Sequence, residues 1–189
     1  MGFDPAVHHR RSIRLRGYDY ASAGIYFFTI CTHDRRLLLG AIQGGRMLPN
    51  AAGDMVSWWW YEIGNKFPAA ALDAFVVMPN HMHAILSISS EAARLGARPA
   101  PLSRIVQWFK TMTTNAYLRG VKEQRWPALQ GKLWQRNYFE HIVRSSKAVE
   151  AIRGYIESNP ANWERDVENP SASKSARDEI LDIVRENGS

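Results

Sequence analysis

Two histidines separated by one residue follow a Pro-Asn pair in the stretch MPNHMH (78–83). In a β-strand, His81 and His83 would lie side by side on one face. Two neighbouring imidazoles can bind a divalent cation. A chain with 6 histidines in 189 residues produces roughly 0.2 such pairs by chance, so two ordinary surface histidines are the alternative.

A tyrosine and an asparagine lie one helical turn apart in SSKAVEAIRGYIESN (145–159), which predicts a helix ended by Pro160. At 100° per residue, the apolar stripe of this helix consists of Val149, Ile152 and Ile156. Tyr155 and Asn159 lie together at the edge of that stripe. Their polar groups need partners when buried, and the histidine pair would supply them if the fold joins the two. A tyrosine at the edge of a core with a satisfied hydroxyl is the alternative.

The elements that must position these residues can be predicted from periodicity. Residues 72–78 and 81–88 flank Pro79-Asn80 and predict a β-hairpin, with the turn served by Asn80. In its second strand, the residues that face away from the histidines are Met82, Ala84, Leu86 and Ile88.

The remaining pattern predicts strands at 25–32, within 34–40 and at 133–143, and helices at 53–66 and 102–120. Ser103 would cap the second of these helices and Gly120 would end it. The adjacent Trp58, Trp59 and Trp60 cannot all face one side of the first helix, so at least one ring is exposed or lies under the N-terminal arm. Core packing and a base-stacking platform are the two interpretations of this triplet.

The order β-β-α-β-β-α-β-α predicts an α+β sandwich of the ferredoxin-like or RRM-like type. We expect a mostly antiparallel sheet with helices packed on it, on one face. Three segments are expected: a basic N-terminal arm (1–24), the central domain (25–165) and an acidic C-terminal tail helix (166–189).

Charge is unevenly distributed. Residues 94–153 carry 12 basic and 3 acidic side chains, a net charge of +9, whereas residues 154–189 have a net charge of −4. A basic block of this kind favours a polyanion such as nucleic acid, and a solvated basic face is the alternative.

Composition excludes several classes. The single cysteine, Cys31, allows no internal disulfide, is expected to be buried and suits a reducing cytoplasm. The most apolar stretch (69–88) is interrupted by polar residues, so no membrane span is expected. The arginine-rich N-terminus lacks the apolar region of a secretory signal.

Longer motifs carry a family resemblance. PNHMH before a strand and GYIESNP on a late helix resemble the HUH single-tyrosine transposases, named for a His, bulky apolar residue, His motif. The segments RRSIRLRGYDYASAGIYFFTICTHDRR (10–36), WQRNYFEHIVRS (134–145) and YIESNPANW (155–163) are similar to the REP-associated tyrosine transposases of this class. The similarity covers residues 8–165 in order. Arg16 departs from the proline of that group, which puts only the local shape of the arm in doubt.

The resemblance implies a chemistry. Tyr155 would attack a phosphorus of single-stranded DNA, forming a 5′-phosphotyrosine and releasing a 3′-hydroxyl. His81, His83 and Asn159 would bind Mg²⁺ or Mn²⁺; two imidazoles and one carbonyl oxygen favour Mn²⁺ and do not exclude zinc. The implied partner is a single-stranded DNA hairpin of a repetitive extragenic palindrome. The implied protein is bacterial, cytoplasmic and nucleoid-associated, and either a monomer or a homodimer.

Further candidates could bind the DNA. Those with charge or stacking surface are Arg10, Arg11, Arg14, Arg16, Tyr18, Tyr20, Arg104, Lys110 and Arg136. His141 is a candidate for supporting the metal ligands or contacting phosphate, with a structural hydrogen bond as the equal alternative. Two rival functions stay open: a domesticated hairpin-binding protein that does not cleave, and a metal-dependent hydrolase without a covalent step.

Overall fold

The computed structural model describes residues 23–89, 91, 99–172 and 179–186. The strands within these residues are β1 (Gly24–Cys31), β2 (Gly40–Gln43), β3 (Arg46–Pro49), β4 (Ala70–Val77), β5 (His81–Ile88) and β6 (Phe139–Val143). The α-helices are α1 (Ala51–Lys66), α2 (Leu102–Gln124), α3 (Ser146–Ser158) and α4 (Glu179–Glu186), with short 3-10 helices at His33–Arg35 and Asn159–Arg165. Within the described residues, each helix is too short or too polar to cross a membrane.

A four-stranded antiparallel sheet forms the centre of the domain, with strand order β4-β5-β1-β6. β1 lies inside the sheet, which suits its run of β-branched and aromatic residues, IYFFTIC. Its register with β5 pairs Thr29 with His83 and Cys31 with His81. The predicted α+β sandwich with helices packed on an antiparallel sheet is therefore confirmed.

Both faces of the sheet carry helices, which corrects the expectation of one covered face. Alternate residues of β1 pack in opposite directions: Phe28 lies in the core under α1 and α2, and Phe27 lies in a second core under α3 and α4. The physical reason is that β1 is apolar at nearly every position, so both of its faces need cover. Cys31 is buried as expected.

Two predicted strands have different bounds. The region after β1 forms a 3-10 turn and then a separate β2–β3 hairpin, with Gly44 and Gly45 at φ 55° and 72° in the two-residue turn. The predicted strand 133–143 is reduced to β6. Before β6, strand pairing with the β1 side among the described residues is limited to a bridge between Trp134 and Thr32, and the Lys110 ammonium donates to the carbonyls of Gln135 and Asn137 at 2.9 and 3.1 Å.

The helix boundaries also differ. The side chain of Asn50 caps α1, which starts two residues before the predicted start at residue 53. Pro101 precedes α2, so Ser103 is not its cap, and the helix continues past Gly120 to Gln124. The Trp126 ring packs against Gly120, where a Cβ atom would overlap it, so this glycine serves packing and does not end the helix.

The tryptophan triplet divides as predicted. Trp60 is buried, with 1% of its surface exposed, whereas Trp58 is 55% exposed. Trp59 is half-buried and packs edge-on against Trp108 of α2. Core packing therefore explains Trp60 and Trp59.

Candidate active site

The histidine pair lies at the start of β5, on the face that α3 covers. His81 and His83 are 0% and 2% exposed, and their Nε2 atoms are 3.0 Å apart. β5 places them on one face because side chains alternate along a strand, so Met82 and Ala84 enter the opposite core. The two rings therefore converge in a buried space between the sheet and the segment that follows α3.

Two hydrogen bonds orient the rings. Asn80 Nδ2 donates to the carbonyl oxygens of Arg35 and Glu168, at 3.1 and 2.6 Å. Its Oδ1 is thereby free to accept from His81 Nδ1 at 2.9 Å, which leaves Nε2 of the neutral ring with its electron pair. On the next strand, Thr29 Oγ1 lies 2.7 Å from His83 Nδ1. Partners of this kind hold metal-binding imidazoles in place.

The environment keeps both imidazoles neutral. Burial lowers the pKa of His81 to about 4, against smaller opposing effects of the Glu168 carboxylate and the Asn159 side chain. Burial also lowers the pKa of His83 well below its usual value, and His81 acts in the same direction. A neutral imidazole offers an electron pair, which is the form that binds a metal ion.

Tyr155 of α3 completes the cluster on one side. Its hydroxyl oxygen lies 3.2 Å from His83 Nε2. Its half-buried ring packs edge-on against Phe27 and against the His83 ring. The helical stripe predicted from the sequence is present, since Val149, Ile152 and Ile156 are buried under α3. This packing sets the phenol oxygen at the edge of the histidine pair.

Asn159 lies one turn beyond Tyr155, where the α-helix changes to a 3-10 helix. It is 2% exposed, and its Nδ2 donates to Asp166 Oδ2 at 3.2 Å. Its Oδ1 has no well-formed hydrogen bond among the described residues. A buried carbonyl oxygen without a partner is costly, so this atom indicates a ligand.

The cluster fits a divalent cation. His81, His83 and Asp166 each present a ligand atom within 4.8 Å of the others. Two nitrogens that each lie about 2.1 Å from one ion, at a right angle, are about 3.0 Å apart. The two Nε2 atoms have this separation. Neutral imidazoles, a carboxylate and an unpaired carbonyl oxygen are all donors that divalent metals accept, so the group can hold a metal ion.

The other predicted site residues lie elsewhere or outside the described residues. Arg10, Arg11, Arg14, Arg16, Tyr18 and Tyr20 lie outside them. Arg104 and Arg136 are exposed. The Lys110 ammonium binds backbone carbonyls and lies over the Tyr138 ring. His141 of β6 is half-buried and lies opposite Phe27 of β1 in the sheet register. Burial lowers the pKa of His141. A DNA-binding role of these residues stays a prediction.

Sequence reasoning missed three partners of the cluster. Asp166 follows a 3-10 helix, so no helical periodicity links it to Asn159. In the sequence, Thr29 is indistinguishable from the other β-branched residues of a buried strand. Trp163, whose ring lies 6.1 Å from the His81 ring, belongs to the same 3-10 helix. Only the period of two along β1, which places Thr29 on the same face as Phe27, could have indicated that it faces α3.

A buried histidine pair on an antiparallel sheet, with a helical tyrosine against it, is the arrangement expected of single-tyrosine HUH proteins. Residues 60–159 match the sequence profile of the family described as "Transposase IS200 like". This match covers more than half of the chain, and the chain therefore belongs to that family.

Two proteins of one bacterium are similar to this chain. An "Uncharacterized protein" of Haemophilus influenzae is 37% identical over 171 residues, which cover 87% of this chain and 95% of that protein. A second protein of that organism, named "Putative REP-associated tyrosine transposase", is 23% identical over 75% of this chain and 73% of its own.

A solved structure shares the fold. The structure of a REP-associated tyrosine transposase bound to a REP hairpin has a TM-score of 0.56 and 23% identity, and covers 80% of this chain and 74% of that one. The resemblance to this group that the motifs predict is confirmed.

Proposed function

We propose that this protein is a metal-dependent endonuclease and strand transferase that acts on single-stranded DNA hairpins through a tyrosyl-phosphate intermediate. The observation that carries the proposal is the position of the Tyr155 hydroxyl, 3.2 Å from His83 Nε2 and beside a buried histidine pair that fits a divalent cation. Family membership supports the same class of reaction.

The tyrosine would exchange one phosphodiester for another. The Tyr155 oxygen bonds to phosphorus, the bond from phosphorus to the 3′ oxygen breaks, the phenol proton passes to solvent and the 3′ oxygen takes one up. A phenol with a pKa of about 10 is a weak nucleophile at neutral pH. The reaction therefore depends on holding the Tyr155 hydroxyl in a fixed position beside the phosphate. Packing against Phe27 and His83 supplies that position.

His81, His83 and Asn159 would hold the cation, which when bound polarises the phosphate and neutralises its charge. Asn80 and Thr29 would keep the two rings aligned, since each contacts the Nδ1 atom that faces away from the ion. The ligand set is compatible with Mg²⁺ or Mn²⁺.

Charge and surface support a hairpin substrate. The block 94–153 has a net charge of +9, and it contains the exposed side chains of Arg104 and Arg136. Lysine and arginine contacts to phosphate supply affinity that falls steeply with salt. The related transposase was solved with a REP hairpin, so a repetitive palindromic hairpin is the substrate we propose. Its binding should weaken by more than tenfold between about 50 and 200 mM salt.

A denaturing gel tests the chemistry. Purified protein is incubated with Mn²⁺ or Mg²⁺ and a 3′-labelled single-stranded hairpin, together with Tyr155→Phe and the exposed Tyr61→Phe as a matched control. We expect a covalent protein–DNA band in the wild type and in Tyr61→Phe, and none in Tyr155→Phe.

The rival functions give different results in the same gel. Cleavage that persists in Tyr155→Phe would identify a hydrolase without a covalent step. Tight hairpin binding with no cleavage by the wild type would identify a non-cleaving hairpin-binding protein. Either outcome would refute the proposed transesterification.

A further inference from the structure

Asp166 contributes a carboxylate to the histidine cluster from outside the segment that matches the family profile, which ends at residue 159. It is buried, with Oδ1 accepting from the backbone N–H of Glu168 at 2.6 Å and Oδ2 accepting from Asn159 Nδ2 at 3.2 Å. Oδ2 also lies 3.8 Å from His81 Nε2. Its surroundings therefore include two of the predicted metal ligands.

A cation would strengthen the contact between Asp166 and His81. The Asn80 carbonyl oxygen receives the hydrogen of His81 Nδ1, so Nε2 of the neutral ring carries an electron pair. This nitrogen lies 3.0 Å from His83 Nε2 and 3.8 Å from Asp166 Oδ2, in a buried space where electrostatic interactions are poorly screened. The Arg35 guanidinium, which affects the pKa of both groups, pairs with the Glu168 carboxylate. A cation between Asp166 and His81 would be attracted by the carboxylate and by the imidazole nitrogen.

The same carboxylate determines which atom of Asn159 faces the histidines. Because Asp166 Oδ2 accepts from Nδ2, the carboxamide oxygen is left as the free end of the group. That oxygen is buried without a well-formed hydrogen bond among the described residues. The Asn159 side chain also affects the pKa of His81, which places the two side chains in direct proximity.

We propose that Asp166 is a fourth ligand of the cation through Oδ2, and that its hydrogen bond from Asn159 Nδ2 directs Asn159 Oδ1 to the same ion. This inference rests on the proposed function only in that the ion is the one used for cleavage. The resulting set has two imidazoles, one carboxylate and one amide oxygen. A negative oxygen ligand strengthens the preference for Mn²⁺ or Mg²⁺.

Mn²⁺ titration followed by the electron paramagnetic resonance signal of the free ion tests this ligand. The variant Asp166→Asn keeps the shape of the side chain and loses its charge. Glu168→Gln is the matched control. It removes the same charge from a side chain two residues further on, whose carboxylate binds Arg35. We expect Asp166→Asn to weaken Mn²⁺ binding on the order of 100-fold and Glu168→Gln by less than about 3-fold. Equal affinity of Asp166→Asn and wild type, or equal losses in both variants, would overturn the proposal.

Thermal unfolding in EDTA separates a ligand from a purely structural residue. Asp166→Asn should lower the unfolding temperature only slightly, because loss of the long hydrogen bond from Asn159 Nδ2 is offset by removal of a buried charge, and the bond from the Glu168 N–H is kept. Added Mn²⁺ should raise the unfolding temperature of the wild type more than that of Asp166→Asn. An Asp166→Asn protein that unfolds well below the wild type in EDTA would assign Asp166 to folding and refute the proposal. The variant Asp166→Glu, which keeps a carboxylate, should recover part of the Mn²⁺ affinity.

The gel and the titration fail independently. Mn²⁺ binding that depends on Asp166, with no Tyr155-dependent band, would leave the ligand assignment standing and refute the cleavage. A Tyr155-dependent band, together with a Mn²⁺ affinity that Asp166→Asn leaves unchanged, would support the cleavage and refute the ligand assignment.

Discussion

The two faces of the central sheet are built from the same strands and differ in chemistry. Towards α1 and α2, β1 and β5 present only apolar side chains near the site, including Ile30 and Met82. Towards α3, the same ends of these strands present Thr29, His81 and His83, all buried. One face is held by close packing, whereas the end of the other is held by a network of hydrogen bonds.

This difference has an energetic consequence. Truncating a side chain of an apolar face lowers the free energy of unfolding, because it removes favourable apolar burial and leaves a cavity without packing contacts. A polar cluster is costly wherever a buried atom lacks a partner, and on the α3 face Asn159 Oδ1 has no well-formed hydrogen bond among the described residues. Stability should therefore depend on the α1–α2 face, and metal affinity on the α3 face.

The largest effect on stability is expected from Trp60, which packs against Phe28 and Phe75 under α1. Trp60→Ala should lower the free energy of unfolding by about 3–5 kcal/mol, as measured by urea denaturation. The control is Trp58→Ala on the exposed side of the same helix, which should change it by less than about 0.5 kcal/mol. Similar decreases in the free energy of unfolding of the two variants would contradict the conclusion that packing stabilises this face.

The next effect is expected from Asn80, the only member of the described network that joins His81 to two backbone carbonyls. Asn80→Ala leaves those carbonyls and the His81 Nδ1 hydrogen without this partner, at about 2–3 kcal/mol. Mn²⁺ affinity should also fall by about 10- to 100-fold. Asn65→Ala, at an exposed position of α1, is the control for both measurements. A stable Asn80→Ala with wild-type Mn²⁺ affinity would show that the turn alone orients His81.

A smaller effect is expected from Thr29. It belongs to the α3 face, whereas its neighbours along β1, Phe28 and Ile30, lie in the opposite core. Thr29→Val keeps the shape and removes the hydroxyl that contacts His83 Nδ1. We expect about 1 kcal/mol lower stability and about tenfold weaker Mn²⁺ binding by calorimetry. Thr111→Val, whose hydroxyl bonds within α2, should leave Mn²⁺ binding unchanged. A loss of stability without any loss of affinity would contradict the proposed role.

The smallest effect is expected from the ion pair that ties α3 to β4, Arg153 to Asp73 at 2.7 Å. The Arg153 guanidinium lowers the pKa of Asp73 below its ordinary value of 3.8. The stabilisation is therefore complete above that pH and is lost as the pH falls through the pKa of the folded state. Arg153→Gln should lower the unfolding temperature at pH 7, and the difference from wild type should shrink below pH 3.8 and vanish once Asp73 is protonated in the folded state. A difference that persists in acid would exclude this ion pair as its origin.

Local periodicity accounts for much of the fold. Alternation along 81–88 predicts which residues flank the histidines, and the helical period of 145–159 predicts the stripe that α3 buries. Boundaries were less predictable. Trp126 packs against Gly120 inside a helix, and the Lys110 ammonium binds the carbonyls of residues 135–137; neither contact follows from a local repeat.

The sequence by itself determined two local arrangements: His81 beside His83 on one strand face, and Tyr155 near Asn159 on one helix edge. Each follows from a repeat of two or 3.6 residues. Only the tertiary structure decided that these arrangements meet, since the Tyr155–His83 and Thr29–His83 contacts span 72 and 54 residues. It also added Asp166, because a 3-10 helix interrupts the α-helical period between Asn159 and that carboxylate. Contacts of this range depend on how elements pack, and no local repeat encodes them.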